Sequence, residues 1–209
     1  MRRGPAALTL VAVLAAAVSV AACGSAGQLP SLASPTATAT SLKIRKISDD
    51  TWGFRMAYPD GWVGTHYANP SAEGPEGTLL YVMAFADPKG AEANGSYLDS
   101  EQLAVYQLAQ PMSPDDLTLE SASRLIYKVI LKDVTSLSPR TNVEPYKLNG
   151  MDAWRVGYEY RVGDEVVAAK SALIVRGRRA YWYTAQAETY AWRTVSLTLE
   201  TCVRYFHLQ

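Results

Sequence analysis

Apolar residues recur in two rhythms along this chain, at every second position through much of the middle and every third or fourth near the end. The first rhythm predicts strands and the second helices. Lys43 to Ile47 reads as a short strand, and in a second Phe54, Met56 and Tyr58 alternate with Arg55 and Ala57. Pro59-Asp60-Gly61 then supplies turn chemistry, proline setting φ and glycine allowing it to be positive. Thr78 to Ala86 is a largely apolar strand, Gln102 to Ala109 a fourth, and the segment between them a loop. Thr118 stands where a helix cap belongs, ahead of Ala122, Leu125, Ile126, Val129 and Ile130 at helical spacing.

A three-strand meander follows. Trp154, Val156, Tyr158, Tyr160 and Val162 share one face, while Arg155, Glu159 and Arg161 share the other. Gly163-Asp164 turns the chain into a strand from Glu165 to Val175, and Arg176-Gly177-Arg178 turns it again into Arg179 to Gln186. In the last element Trp192, Val195, Leu199, Cys202, Val203 and Phe206 make one apolar helix stripe. This order predicts an α+β domain, a mainly antiparallel sheet covered by helices in an α/β/α sandwich.

Residues 1–22 break this pattern. Two arginines precede an alanine-rich apolar run without an acidic residue, which is a secretory signal and too weakly apolar for a permanent span. The run ends in Val20-Ala21-Ala22 before Cys23 and Gly24-Ser25, and this resembles the bacterial lipoprotein lipobox. The resemblance implies cleavage before Cys23 and diacylglycerol on its thiol, a two-chain anchor sufficient for stable membrane attachment. Residues 23–42 carry no charge and few large side chains, the composition of a flexible tether, and 43–209 is the folded domain. Cys202 is then left without a disulfide partner and reads as a small buried hydrophobe.

Charge matters only after that cleavage. Loss of Arg2 and Arg3 leaves 18 basic against 20 acidic residues, so the whole chain has no electrostatic footprint for nucleic acid or anionic lipid.

The Tyr58-Pro59-Asp60-Gly61-Trp62 corner, the mid-chain helix, the meander and a final helix ending in Tyr205-Phe206 together resemble the Mog1/PsbP-like superfamily. Among its members, the resemblance points to bacterial lipoproteins of the LpqN kind. The resemblance implies a binding or accessory role and brings no shared catalytic motif. Of its known partners, a small GTPase does not match a chain outside the cytoplasm, and nothing in the sequence identifies a photosystem.

Recognisable catalytic chemistry is missing from the residues. There is no Gly-x-Ser-x-Gly elbow, phosphate loop, His-Glu-x-x-His or Cys-x-x-Cys, so no cofactor or metal is expected. His66 belongs either at a cleft mouth or on a solvated loop, the second being the expectation, and His207 reads as a charge at a helix end. Asp115-Asp116 reads as negative charge before a helix N-terminus. Arg176, Arg178 and Arg179 form the one basic cluster, either an anion site or a soluble turn guarding a sheet edge. Tyr158, Tyr160, Tyr181, Trp182 and Tyr183 are the other binding candidates. Alternation places Tyr181 and Tyr183 opposite Trp182, so they are not expected all to be core; packing beneath the helices is the default for most of these aromatics, and an uncovered face would line a groove. The expected function is a lipid-anchored, non-catalytic binding or scaffold protein of the bacterial envelope with a protein partner. Its rival is a carrier or sensor of an amphiphile held between sheet and helices.

Overall fold

A computed structural model of the chain describes residues 43–69 and 74–209; the signal, Cys23 and the tether lie outside the described residues. In chain order the elements are β1 (Ile44–Asp49), β2 (Phe54–Pro59), β3 (Val63–Ala68), β4 (Leu79–Ala86), β5 (Glu92–Ala93), β6 (Ser96–Tyr97) and β7 (Ser100–Met112). A 3-10 turn at Pro114–Asp116 leads into α1 (Leu119–Arg124), which continues as a π-helical turn over Leu125–Ile130. Then come β8 (Ser138–Pro139), β9 (Glu144–Leu148), β10 (Met151–Val162), β11 (Glu165–Glu188), α2 (Trp192–Val203) and β12 (His207–Leu208).

The large sheet runs β3-β4-β7-β11-β10-β8, with β9 also paired to β10, and every pairing is antiparallel. Its long element β11 is extended throughout, yet it doubles back on itself. Ser171 Oγ lies 2.8 Å from Thr184 Oγ1, whereas a straight strand would separate them by about 40 Å. Thr189 N–H also donates to Val166 O at 2.9 Å. Both contacts centre the reversal on Gly177-Arg178, where Gly177 has φ +59°, as the first central position of a type II′ turn requires. One arm, 165–176, pairs with β10, and the other, 179–188, pairs with β7. The predicted meander and its turn are therefore present.

Both faces of this sheet are covered, so Tyr181, Trp182 and Tyr183 are all core, against the expectation that alternation would leave some of them uncovered. Trp182 joins Val156, Tyr158, Tyr160 and Leu173 beneath the helical residues Ala122, Leu125, Ile126 and Ile130. Tyr181 and Tyr183 join Leu103, Phe54, Met56, Leu199 and Phe206 on the opposite face. The first layer is helix on sheet as predicted. The second differs from the prediction, because α2 shares the cover with a separate three-stranded sheet, β1-β2-β12.

The Pro59-Asp60-Gly61 corner carries the chain from this small sheet to the edge of the large one. Gly61 turns it at φ +90°, and Tyr58 stacks on Phe85 with ring centroids 3.7 Å apart. The strand that follows, β3, gave no sequence signal, because on an edge strand with mostly exposed side chains no face has to be apolar. It places His66 on an exposed strand rather than a loop. The short pairs β5/β6 and β8/β10 were likewise unpredicted, being held by backbone bonds that place little demand on residue type. His207 sits on β12 opposite Arg55 and not at a helix end.

At α1, Ser121 N–H donates to Thr118 Oγ1 at 3.3 Å, the expected cap. Asp116 instead closes its own turn, accepting from Ser113 N–H at 3.0 Å. Cys202 is wholly buried on the inner face of α2, and burial pushes its thiol up to about 12. A Cys23→Ser chain is accordingly expected to show no reactive thiol toward an aromatic disulfide reagent at pH 8 until it unfolds. A full equivalent released from the native protein would contradict this.

Candidate functional site

The face that α2 covers is not covered to its edge. β10 presents Arg155, Gly157 and Glu159 on that side, and the first arm of β11 sets Ala172, Lys170 and Ala168 directly opposite them. At least two glycine- or alanine-sized residues thus flank each charged one, and the sheet surface stays low where a larger side chain would fill the space. Two open hollows result, of about 440 and 330 Å³. They share Arg155, Lys170, Ser171 and Trp192, and so form one groove alongside α2 from Trp192 to Arg204.

The groove has an apolar floor and a rim of both signs. Arg140 pairs with Glu159, and Arg155 Nε meets Glu144 Oε1 at 2.7 Å with its guanidinium 4.7 Å from the Tyr146 ring centre. Lys170 Nζ lies 5.6 Å from the Trp192 ring centre and 3.9 Å from Glu200 Oε1. Exposed pairs of this kind are each worth at most about 1 kcal/mol, so an incoming chain can exchange them. Tyr190 stands beside the rim at 93% exposure and Leu197 on α2 at 66%.

Of the residues singled out in the sequence, Tyr158 and Tyr183 reach the walls of this groove. The five aromatics are core residues, and among the described residues they form no uncovered aromatic face. Their polar atoms are satisfied internally. Tyr158 Oη lies 3.2 Å from Ser171 Oγ, Tyr160 O–H donates to Gln186 Oε1 at 2.8 Å, and Tyr181 O–H donates to Trp52 O at 3.2 Å. Tyr183 O–H donates to Glu101 Oε2 at 2.5 Å. Glu101 is fully buried, its second oxygen has no partner, and desolvation pushes its carboxyl up to about 8.

The three arginines are elsewhere. Arg176 donates to Gln209 O, Arg178 to Ala109 O at 3.1 Å, and Arg179 to Thr51 O at 3.4 Å while stacking 4.7 Å from the Trp52 ring centre. They tie the β11 turn to neighbouring carbonyls and line an open hollow of about 360 Å³ with Asp50. Among the described residues, no three His, Cys, Asp or Glu side chains gather as metal ligands. Sequence reasoning missed Lys170, Ala168 and Trp192. Their signal was the small-residue positions facing Arg155 and Glu159, readable only once the β10/β11 register is known.

No family model matches the chain, and no curated protein does. Solved structures do match. The cyanobacterial PsbP protein of Synechocystis sp. PCC 6803 superposes with a TM-score of 0.53 at 18% identity, over 85% of this chain and 99% of that one. The chain has the PsbP-like fold. LpqN of Mycobacterium tuberculosis, a protein involved in cell envelope biogenesis, aligns at a TM-score of 0.46 and 15% identity, over 79% of this chain and 91% of that one.

Proposed function

We propose that this protein is a non-catalytic binding protein of the bacterial envelope, held to the membrane by acylated Cys23, that engages a protein partner through the groove beside α2. The observation that carries the reading is the groove itself: an open channel with a low apolar floor and a rim whose charges alternate in sign. An extended polypeptide segment matches it, with small apolar side chains on Gly157 and Ala168 and charges exchanged with Arg155, Lys170 and Glu200. The PsbP-like fold is compatible with such a role and does not specify it. An amphiphile is the second reading, favoured by the apolar floor between sheet and helix.

A photocrosslinking residue at Ala168, expressed in the native envelope, is expected to join one protein, whereas the same residue at Thr65 on β3 yields none. Ala168→Trp fills the floor and should reduce the adduct formed from a crosslinker at Trp192 by at least about tenfold, with little loss of stability. Equal adducts from Thr65 would sink the groove as the site. A retained small mass in native mass spectrometry, together with no protein adduct, would replace the partner with an amphiphile.

A further inference from the structure

The small sheet turns Phe54 and Met56 inward to the core; on its other side Ala57 and Pro59 are buried, while Arg55 is exposed. On that side Arg55 lies between Ser48 and His207, and Lys46 stands opposite Ala57 one step along. Lys46, Arg55, Arg204 and His207 are all exposed and line one hollow of about 400 Å³ with Tyr205, and no carboxylate lines it. Among the described residues, no ion pair engages Lys46, Arg55 or Arg204. Lys46 Nζ rests 4.4 Å from the Tyr205 ring centre. Arg55 Nε meets only the neutral Gln209 amide, at 2.6 Å once that amide is oriented to satisfy its neighbours.

Unpaired cations need a reason in a chain with as many acids as bases to pair with them. The end of α2 accounts for Arg204, which occupies its C-cap, but not for Lys46 and Arg55 on strands. Tyr205 adds a half-exposed amphipathic ring at the border of the patch. Lys46 lies on β1, three residues after the start of the described fold, and only about 19 residues separate that start from Cys23. Covalent geometry limits a stretch of that length to roughly 65 Å at full extension.

We propose that this face of β1-β2-β12 rests on an anionic phospholipid surface, with Lys46, Arg55 and Arg204 against headgroup phosphates and Tyr205 at the interface. The proposal uses the reading that Cys23 places the chain at a membrane, but its test does not depend on the anchor or on the groove. Arg204 lines both this hollow and the groove, so one end of the groove opens next to the lipid surface.

The test is co-sedimentation of the chain from residue 23 carrying Cys23→Ser with phosphatidylcholine vesicles, with and without phosphatidylglycerol. Binding is expected only with phosphatidylglycerol, and it should weaken as salt rises toward physiological strength. A basic residue near an anionic surface is worth about fivefold in partitioning, so Lys46→Gln/Arg55→Gln/Arg204→Gln should lower it on the order of a hundredfold. Lys128→Gln/Lys132→Gln, on the opposite side of the domain, should leave it within about twofold. Equal loss in that control, equal binding to neutral vesicles, or no binding by the unsubstituted chain would overturn the proposal. Saturable displacement by millimolar inorganic phosphate would also overturn it, in favour of a small-anion pocket. Partner crosslinking at Ala168 stands or falls separately.

Discussion

Glu101→Gln is expected to raise the stability of the fold at pH 8 and leave it unchanged or lower at pH 4, so that the two pH profiles cross. Glu101 lies on the central strand β7 under α2 with no solvent contact. Burial, opposed only in part by the Tyr183 hydrogen bond, holds its carboxyl near 8, against about 4.3 in an unfolded chain. The folded state therefore keeps a proton that the unfolded state releases. Stability from this group is complete below about pH 4 and is lost as pH rises toward 8. At about 1.4 kcal/mol per pH unit the loss is on the order of 5 kcal/mol over that window. Glutamine has no such proton to lose. It still accepts from Tyr183 but adds an amide N–H₂ without a partner, a cost of about 1–3 kcal/mol that sets the crossing. Urea unfolding from pH 4 to pH 9 measures both curves, and parallel curves would show that Glu101 does not titrate in this window.

Trp182→Ala should cost about 3–5 kcal/mol, a large share of the 5–15 kcal/mol that holds a typical domain together. Trp182 is 2% exposed and sits in the layer between the large sheet and the helical segment α1 and its π turn. Removing the indole leaves a cavity in a core whose other members are anchored on separate elements, Tyr158 on β10 and Leu125 and Ile126 on the π turn, so that it closes only in part. Leu197→Ala on the exposed side of α2 is the contrast, expected within about 0.5 kcal/mol of the starting protein. Denaturant midpoints of the two variants check this. Similar midpoints would mean that the helical layer is not packed as described.

Part of the site was legible before the fold was known. Alternation along β10 already separated Arg155 and Glu159 from Val156 and Tyr158, so its charged side was visible. That this side borders a groove was not. The groove depends on the register that puts Ala168 opposite Glu159 and Lys170 opposite Gly157, and on where α2 stops covering the sheet. The basic hollow was hidden for the same reason. Lys46, Arg55 and Arg204 are separated along the chain, and a near-neutral total conceals a local surplus.

What the residues alone determined were the features that one element decides for itself. These include the capped start of α1 at Thr118, the turns at Gly61 and Gly177, the alternation of β2 and β10, and the apolar stripe of α2. Each follows from backbone sterics or from one face meeting an apolar neighbour. Only tertiary structure decided whether Tyr181, Trp182 and Tyr183 were all core. Alternation puts them on opposite faces, but burial on each face requires a separate cover, α1 with its π turn on one side and α2 with β1-β2-β12 on the other. A strand's pattern records which side each residue takes. What packs against that side is set by elements distant in sequence, and it was that packing that made core of the aromatics and left the groove and the basic face open.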